Sequence, residues 1–285
     1  MNTTITWCLF LVVTVAQGPG PLTKRTQLEP HWIIAPDIVF SMPEAIQIAA
    51  NKEVINQQWV IPTHFSMDRW VQAVQIRPSD PRVVHHAVLY VRPPGAALGD
   101  LKTEVLAIYT AGAPAMICPS KMAKRIPAGA DLVLETHYVA LDTDAQDQTD
   151  IGLTMLNGDP DSRVLTLQMG RDNIVIPAGD HDYRVAVTGV MPRDAVLLAM
   201  FPLLHRCGVE FEYTVPPKTL LDAKPFEARN YALVAPLPLR RGERIAWIAH
   251  FDNPATTQVS GEVMNGYFDV AVPPDVDKAR FFTGR

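Results

Sequence analysis

The sequence predicts an all-β protein made of two packed antiparallel β-sandwich domains of jelly-roll type. Short runs rich in β-branched and aromatic residues recur along the chain, bounded by proline, glycine or acidic turn residues. Twenty-five prolines stand against sixteen glycines, which suits a chain with many turns. No segment holds a helical period long enough for a helix of ordinary length. A chain of 285 residues accommodates about two domains and is long enough to bury a real core in each.

Taken in order, residues 5–16 form a short apolar run followed by Gln17-Gly18-Pro19-Gly20, with Thr14 and Ala16 as small residues before a cleavage point. The run is too short to span a bilayer and reads as an export signal over residues 1–16, so the mature chain is expected to be periplasmic or secreted, with no membrane span. Residues 17–29 read as a linker. The first domain is expected over residues 30–150. Strands are predicted at 36–40, 59–62, 69–77, 82–92 and 132–140, with a helix turn or loop over 43–55. The 69–77 run alternates polar and apolar residues, so one face is buried and one is wet. The acidic stretch 142–150 reads as a loop near the domain boundary. The second domain, over 151–272, repeats the texture, with strands at 163–169, 174–177, 183–190, 195–201, 210–215, 229–234, 243–251 and 265–272. Residues 273–285 read as a tail.

Composition excludes some function classes. The net charge is −5 and no long basic run occurs, so nothing suggests a nucleic-acid partner. If Cys8 leaves with the export signal, Cys118 and Cys207 remain. They can form one disulfide, be buried thiols, or offer a soft ligand to copper.

The chemistry-bearing residues are histidines. His85 and His86 are adjacent in the 82–92 strand. Successive strand side chains point to opposite faces, so the pair meets at one ion only if the strand is twisted or bulged there. Taken alone, the dipeptide suits one core and one surface histidine. His137 follows in the strand 132–140, and His205 and His250 sit beside apolar strands. A cluster of neutral imidazoles suits copper or zinc. His31, His64 and His181 read as structural or surface residues.

Three segments, Val84-His85-His86, Leu134-Glu135-Thr136-His137-Tyr138 and Ile248-Ala249-His250-Phe251-Asp252-Asn253, together resemble the type II copper, ascorbate-dependent monooxygenase family, the bacterial exported members in particular. That family includes peptidylglycine α-hydroxylating monooxygenase and dopamine β-monooxygenase. The turns Ile126-Pro127-Ala128-Gly129 and Ile176-Pro177-Ala178-Gly179-Asp180 are similar to theirs too, and the likeness runs over roughly residues 30–272. It implies two β-sandwich domains with one copper in each. It also implies ascorbate or another one-electron reductant, and hydroxylation of a C–H bond in a small-molecule or peptide substrate by O₂. The electron-storing copper falls on His85, His86 and His137.

The oxygen-binding copper carries over less completely. Of its two histidine positions, one is Leu203 and the other His205. The methionine position falls on Val263, with Met264 one place on. Leucine and valine offer no lone pair, so a working site needs Met264, Cys207 or His250 to join His205. Each has a plain structural reading as a core, thiol or strand residue. Tyr267 stands near the position where the family presents a tyrosine to substrate. The resemblance therefore leaves several readings: a copper monooxygenase-like oxidoreductase with a remodelled second site, a single-copper electron-transfer or copper-binding protein, or a pseudoenzyme serving beside an intact paralogue or redox partner. A β-sandwich binding module with a vestigial metal site is the remaining one.

Overall fold

The structure, a computed structural model, describes residues 32–51, 55–100, 103–204, 207–224 and 228–283. The expected export signal and the whole of the expected linker lie outside the described residues. No helix among the described residues is long and apolar enough to cross a membrane.

The regular secondary structure of the described chain is almost all strand, and the chain forms two compact units. The first holds residues 32–165 and 271–279; the second holds 166–270 and 280–283. Strands of the first unit are β1 (Ile38–Ser41), β2 (Ile46–Ile48), β3 (Ile55–Pro62), β4 (Arg69–Arg77), β5 (Val84–Arg92), β6 (Glu104–Thr110), β7 (Met116–Ile117), β8 (Met122–Ile126), β9 (Asp131–Tyr138), β10 (Ala145–Asp147) and β11 (Asp150–Met155). The chain passes into the second unit within β12 (Ser162–Ile176). It continues through β13 (Tyr183–Val190), β14 (Ala195–Leu204), β15 (Gly208–Val215), β16 (Lys218–Ala223), β17 (Tyr231–Leu239) and β18 (Arg244–Phe251), and leaves within β19 (Val259–Val272). A short helix, α1 (Lys278–Thr283), follows.

Several elements depart from the expected list: β2 lies in the stretch 43–55 expected as a helix turn or loop, β6, β7, β8, β11 and β16 fall outside the expected strands, and the strands expected at 163–169 and 174–177 are one continuous strand, β12. The acidic stretch expected as a boundary loop contains β10 and leads into β11, which pairs with β1 and β4, so the units part later, between Leu165 and Thr166. The expected tail contains α1, anchored in the first unit by Lys278: its Nζ donates to the Thr103 carbonyl at 2.9 Å and its backbone N–H donates to Glu104 at 3.2 Å. Six residues, under two turns of helix, carry no period long enough to be read from sequence.

In the first unit one sheet runs β1-β11-β4-β8, with β7 against β4, and the other runs β3-β9-β5-β6; β2 and β10 make a ribbon. Leu89, Leu132, Leu134 and Tyr138 are 0% exposed and fill the space between the sheets. Lys124 of β8 reaches across to the Leu106 carbonyl of β6 at 3.0 Å. Arg163, 2% exposed, makes a forked ion pair with Glu104 at 2.7 and 2.8 Å.

The second unit repeats the plan with β12-β19-β14-β17 facing β13-β18-β15-β16. Period-2 alternation explains its core. On β15, Phe211 and Tyr213 are buried while Glu210 and Glu212 face outward, and on β18, Trp247, Ala249 and Phe251 are buried opposite His250. The two sheets are joined by polar contacts: the Tyr213 hydroxyl donates to the Tyr267 carbonyl at 2.9 Å, and Trp247 Nε1 donates to the Met169 carbonyl at 2.9 Å.

The pairing of β12 with β19 depends on close backbone approach at Gly170. A methyl group there would collide with Asn265 Oδ1 and would sit 2.6 Å from the Met264 carbonyl oxygen. Backbone cannot give way as a side chain can, so Gly170→Ala is expected to lose about 1–3 kcal/mol. Urea denaturation against the parent chain measures it.

Candidate metal centres

The first centre begins with an irregularity in strand pairing. Val84 pairs with Tyr138 and His86 pairs with His137, so two residues of β5, His85 and His86, oppose one residue of β9. This is a β-bulge. In a regular strand the two histidines would face opposite ways. The bulge breaks the alternation and brings both imidazoles to the side of His137. The three ring centroids lie 5.2 Å (His85–His86), 5.2 Å (His85–His137) and 4.9 Å (His86–His137) apart. His85 Nδ1 and His86 Nδ1 are 3.0 Å apart. All three side chains are half-buried.

The spacing of the His85 and His86 nitrogens suits a small soft or borderline ion, with the His137 ring beside them. Two imidazole nitrogens 3.0 Å apart subtend about 95° at an ion about 2.0 Å from each, a normal metal–nitrogen bond length. The donor set is three neutral nitrogens, suited to copper or zinc rather than calcium or magnesium.

The surroundings of the triad follow from register. Asn56 of β3 pairs with His137, and Thr110 of β6 pairs with His86. Two residues before His137 on the same face lies Glu135, hydrogen-bonded by Gln58 Nε2 at 2.7 Å. Burial raises the Glu135 carboxyl above its ordinary value, opposed by the Gln58 hydrogen bond.

The backbone around the bulge is held by Asp147, which is 0% exposed. Its Oδ1 accepts hydrogen bonds from Ser79 N (2.8 Å), Ser79 Oγ (3.1 Å) and Asp80 N (3.2 Å), in the turn before β5. Its Oδ2 accepts from the Tyr138 hydroxyl (3.0 Å) and Thr149 Oγ1 (2.7 Å). Burial, and then the Asp147 charge, raise the Tyr138 phenol well above its ordinary value, so it stays a donor. One carboxylate thus ties the chain entering His85–His86 to the residue that follows His137. The residue types gave no hint of this role.

In the second unit the expected ligands fare differently. His205 lies outside the described residues. Met264 is 0% exposed and Leu203 5%, both in the core, whereas Val263 is half-buried. Tyr267 is 1% exposed and accepts the Tyr213 hydroxyl through its carbonyl. Cys207 begins the turn into β15, and its carbonyl accepts the Asp252 N–H at 2.8 Å. Cys118 is buried in the first unit with its thiol 3.7 Å from Met116 Sδ; both cysteines are thiols in this structure.

His250 keeps different company from that expected. It sits opposite Glu210 of β15, again beside a bulge, because Gly208 pairs with Phe251 and Glu210 with His250. Its Nδ1 lies 2.5 Å from Asp182 Oδ1, and its Nε2 lies 3.6 Å from Glu212 Oε1. Ligand atoms of Glu210, Glu212 and His250 lie within 4.8 Å of one another. Sequence reading named His250 but not Glu210 or Glu212. The signal was present as Glu-x-Glu on a strand, which puts two carboxylates on one face.

No protein-family model matches the chain, and no curated protein is similar to it. Among solved structures, it is similar to the glycosylasparaginase PNGase F from Flavobacterium meningosepticum (TM-score 0.37, 9% identity, 83% of this chain and 96% of that one). It is also similar to a chain of Sulfolobus turreted icosahedral virus (0.38, 10%, 87% and 96%) and to the major capsid protein P2 of bacteriophage PM2 (0.33, 9%, 82% and 98%).

Proposed function

We propose that the protein is an exported, copper-dependent oxidoreductase of the ascorbate-dependent monooxygenase type, with one copper held by His85, His86 and His137. The observation that carries this reading is the bulge at His85, which gathers three imidazoles from two strands into contact. A bulge that leaves the ladder locally broken is a local cost, and bulges recur where a side chain must be re-aimed. Copper bound by neutral imidazoles supplies a one-electron relay between Cu(I) and Cu(II). The chain's part is to present the three nitrogens on a stiff sheet, with the turn before β5 and Tyr138 both tied to Asp147. The electron donor is ascorbate or another one-electron reductant; the substrate is a small molecule or peptide.

A second reading, a single-copper electron-transfer protein without hydroxylase activity, is favoured by the burial of Met264 and Tyr267 in the core of the second unit. Copper stoichiometry separates the two. The copper-reconstituted full chain is expected to lose one ion per chain on His137→Ala, by elemental analysis, and its Cu(II) EPR signal is expected to be bleached by ascorbate. Two ions falling to one, with the remaining ion kept when Glu212→Gln is added, supports the hydroxylase reading, and one falling to none supports the single-copper reading. Equal copper in parent and variant overturns both.

A further inference from the structure

The outer face of the β13-β18-β15-β16 sheet holds a group of charges that ion pairing alone does not satisfy. Asp182, Glu210 and Glu212 surround His250, whose side chain is 14% exposed. Its Nδ1 is 2.5 Å from Asp182 Oδ1. A carboxylate only accepts, so Nδ1 carries the proton and, in the neutral ring, Nε2 presents a lone pair. That Nε2 is buried and makes no hydrogen bond. What faces it is Glu212 Oε1, another acceptor, at 3.6 Å. Two acceptors turned toward each other need a proton or a metal cation between them, and their spacing matches the separation of about 3.4 Å between two donors on a tetrahedral ion with bonds near 2.1 Å.

We propose that Glu210, Glu212 and His250 form a binding site for one divalent transition-metal ion of the zinc class, with Asp182 as the residue that orients the imidazole. The donor set is one neutral nitrogen and two carboxylates, so a divalent ion makes the cluster neutral. Mixed nitrogen and oxygen donors suit zinc and its borderline neighbours over magnesium or calcium. The Asp182–His250 pair reproduces the carboxylate–histidine arrangement that fixes the tautomer of ligating imidazoles. Glu210 is at present paired with Lys224 Nζ at 2.5 Å, and Lys224 is 72% exposed. On metal binding the Glu210 carboxylate turns from this ammonium toward the ion, so Lys224 competes with the metal. Arg184, the strand partner of His250 on β13, and Arg244, on the same face of β18, are further cations here. The competing description is an imidazolium, a proton taking the ion's place between Asp182 and Glu212.

The test uses the full chain carrying His137→Ala, which removes a ligand of the first centre and keeps the two proposals separate. The metal-free protein is equilibrated with zinc(II) alone, freed of excess by gel filtration and analysed for metal. About one zinc per chain is expected, unaffected by millimolar magnesium. Adding Glu212→Gln or His250→Ala is expected to abolish retention, with the metal-free circular dichroism spectrum unchanged. Asp182→Asn is expected to weaken binding about 10–100-fold, and Lys224→Met to tighten it. A surface ion-pair network without a metal role would give neither shift. No zinc retained by the His137→Ala chain, or zinc retention that survives both Glu212→Gln and His250→Ala, overturns the proposal.

Discussion

Asp147→Ala is expected to cost the protein about 3 kcal/mol or more and to loosen copper at the first centre. The carboxylate accepts five hydrogen bonds while wholly buried. Hydrogen bonds to a charged group contribute about 1.5–3 kcal/mol each, and donors left unsatisfied in the interior cost about 1–3 kcal/mol each, offset where water enters the space. Alanine leaves all five donors without their acceptor. Asp147→Asn keeps one carbonyl oxygen for Ser79 and Asp80. It sets an amide against the hydroxyls of Tyr138 and Thr149, which can rotate to accept. The asparagine variant is therefore expected to lose much less. Chemical denaturation measures both. Copper competition should show the alanine variant binding more weakly even where it is fully folded, because Ser79 and Tyr138 set the backbone on either side of the triad. A copper affinity equal to the parent's would mean that the bulge holds its shape without Asp147.

Trp247→Ala is expected to cost about 3–5 kcal/mol, as large aromatic truncations in a packed core do. Trp247 is 0% exposed and is the largest side chain buried so completely among the described residues. Its ring centroid lies 5.3 Å from that of Tyr213 and 5.2 Å, edge-on, from that of Phe268, so it packs against both β15 and β19. Its indole N–H also satisfies the Met169 carbonyl. The backbone adds a constraint: a methyl group on Gly266 would sit 2.8 Å from the indole ring, so this glycine leaves the space the indole fills. Truncation removes the transfer free energy of the ring, leaves a cavity beside Gly266 and orphans a carbonyl. Urea denaturation of the variant is the check, and a loss below about 1 kcal/mol would mean the two sheets collapse into the space.

Much of the architecture was legible because strands announce themselves locally. The run at 69–77 gives β4 directly, although the wet face expected there is absent from Ala73 to Ile76, where four successive residues are buried, and the β-branched runs at 82–92 and 132–140 give β5 and β9. Helix α1 was not legible, since its six residues owe their place to the Lys278 anchors and not to periodicity. The parting of the units was obscured for a similar reason. The acidic stretch 142–150 looks like a linker by composition, yet Asp147 is a buried acceptor and Asp150 pairs with Arg77 at 2.6 Å. Composition records polarity; it does not record whether a partner waits for the charge.

The sequence by itself determined the strand-rich class and, through the identity of its histidines, which donor groups the first unit offers to the proposed metal. Local preference and residue chemistry are carried by each stretch of chain alone. Only the tertiary structure decided which side chains meet. Strand periodicity places His85 and His86 on opposite faces, and one extra residue in the β5–β9 ladder reverses that for one of them. His250 was a ligand in search of partners until β15 set Glu210 and Glu212 beside it and the turn before β13 supplied Asp182. A bulge or a neighbouring strand depends on pairing between segments far apart in the chain. A one-residue change in that pairing turns a side chain to the opposite face, with no trace in the local sequence.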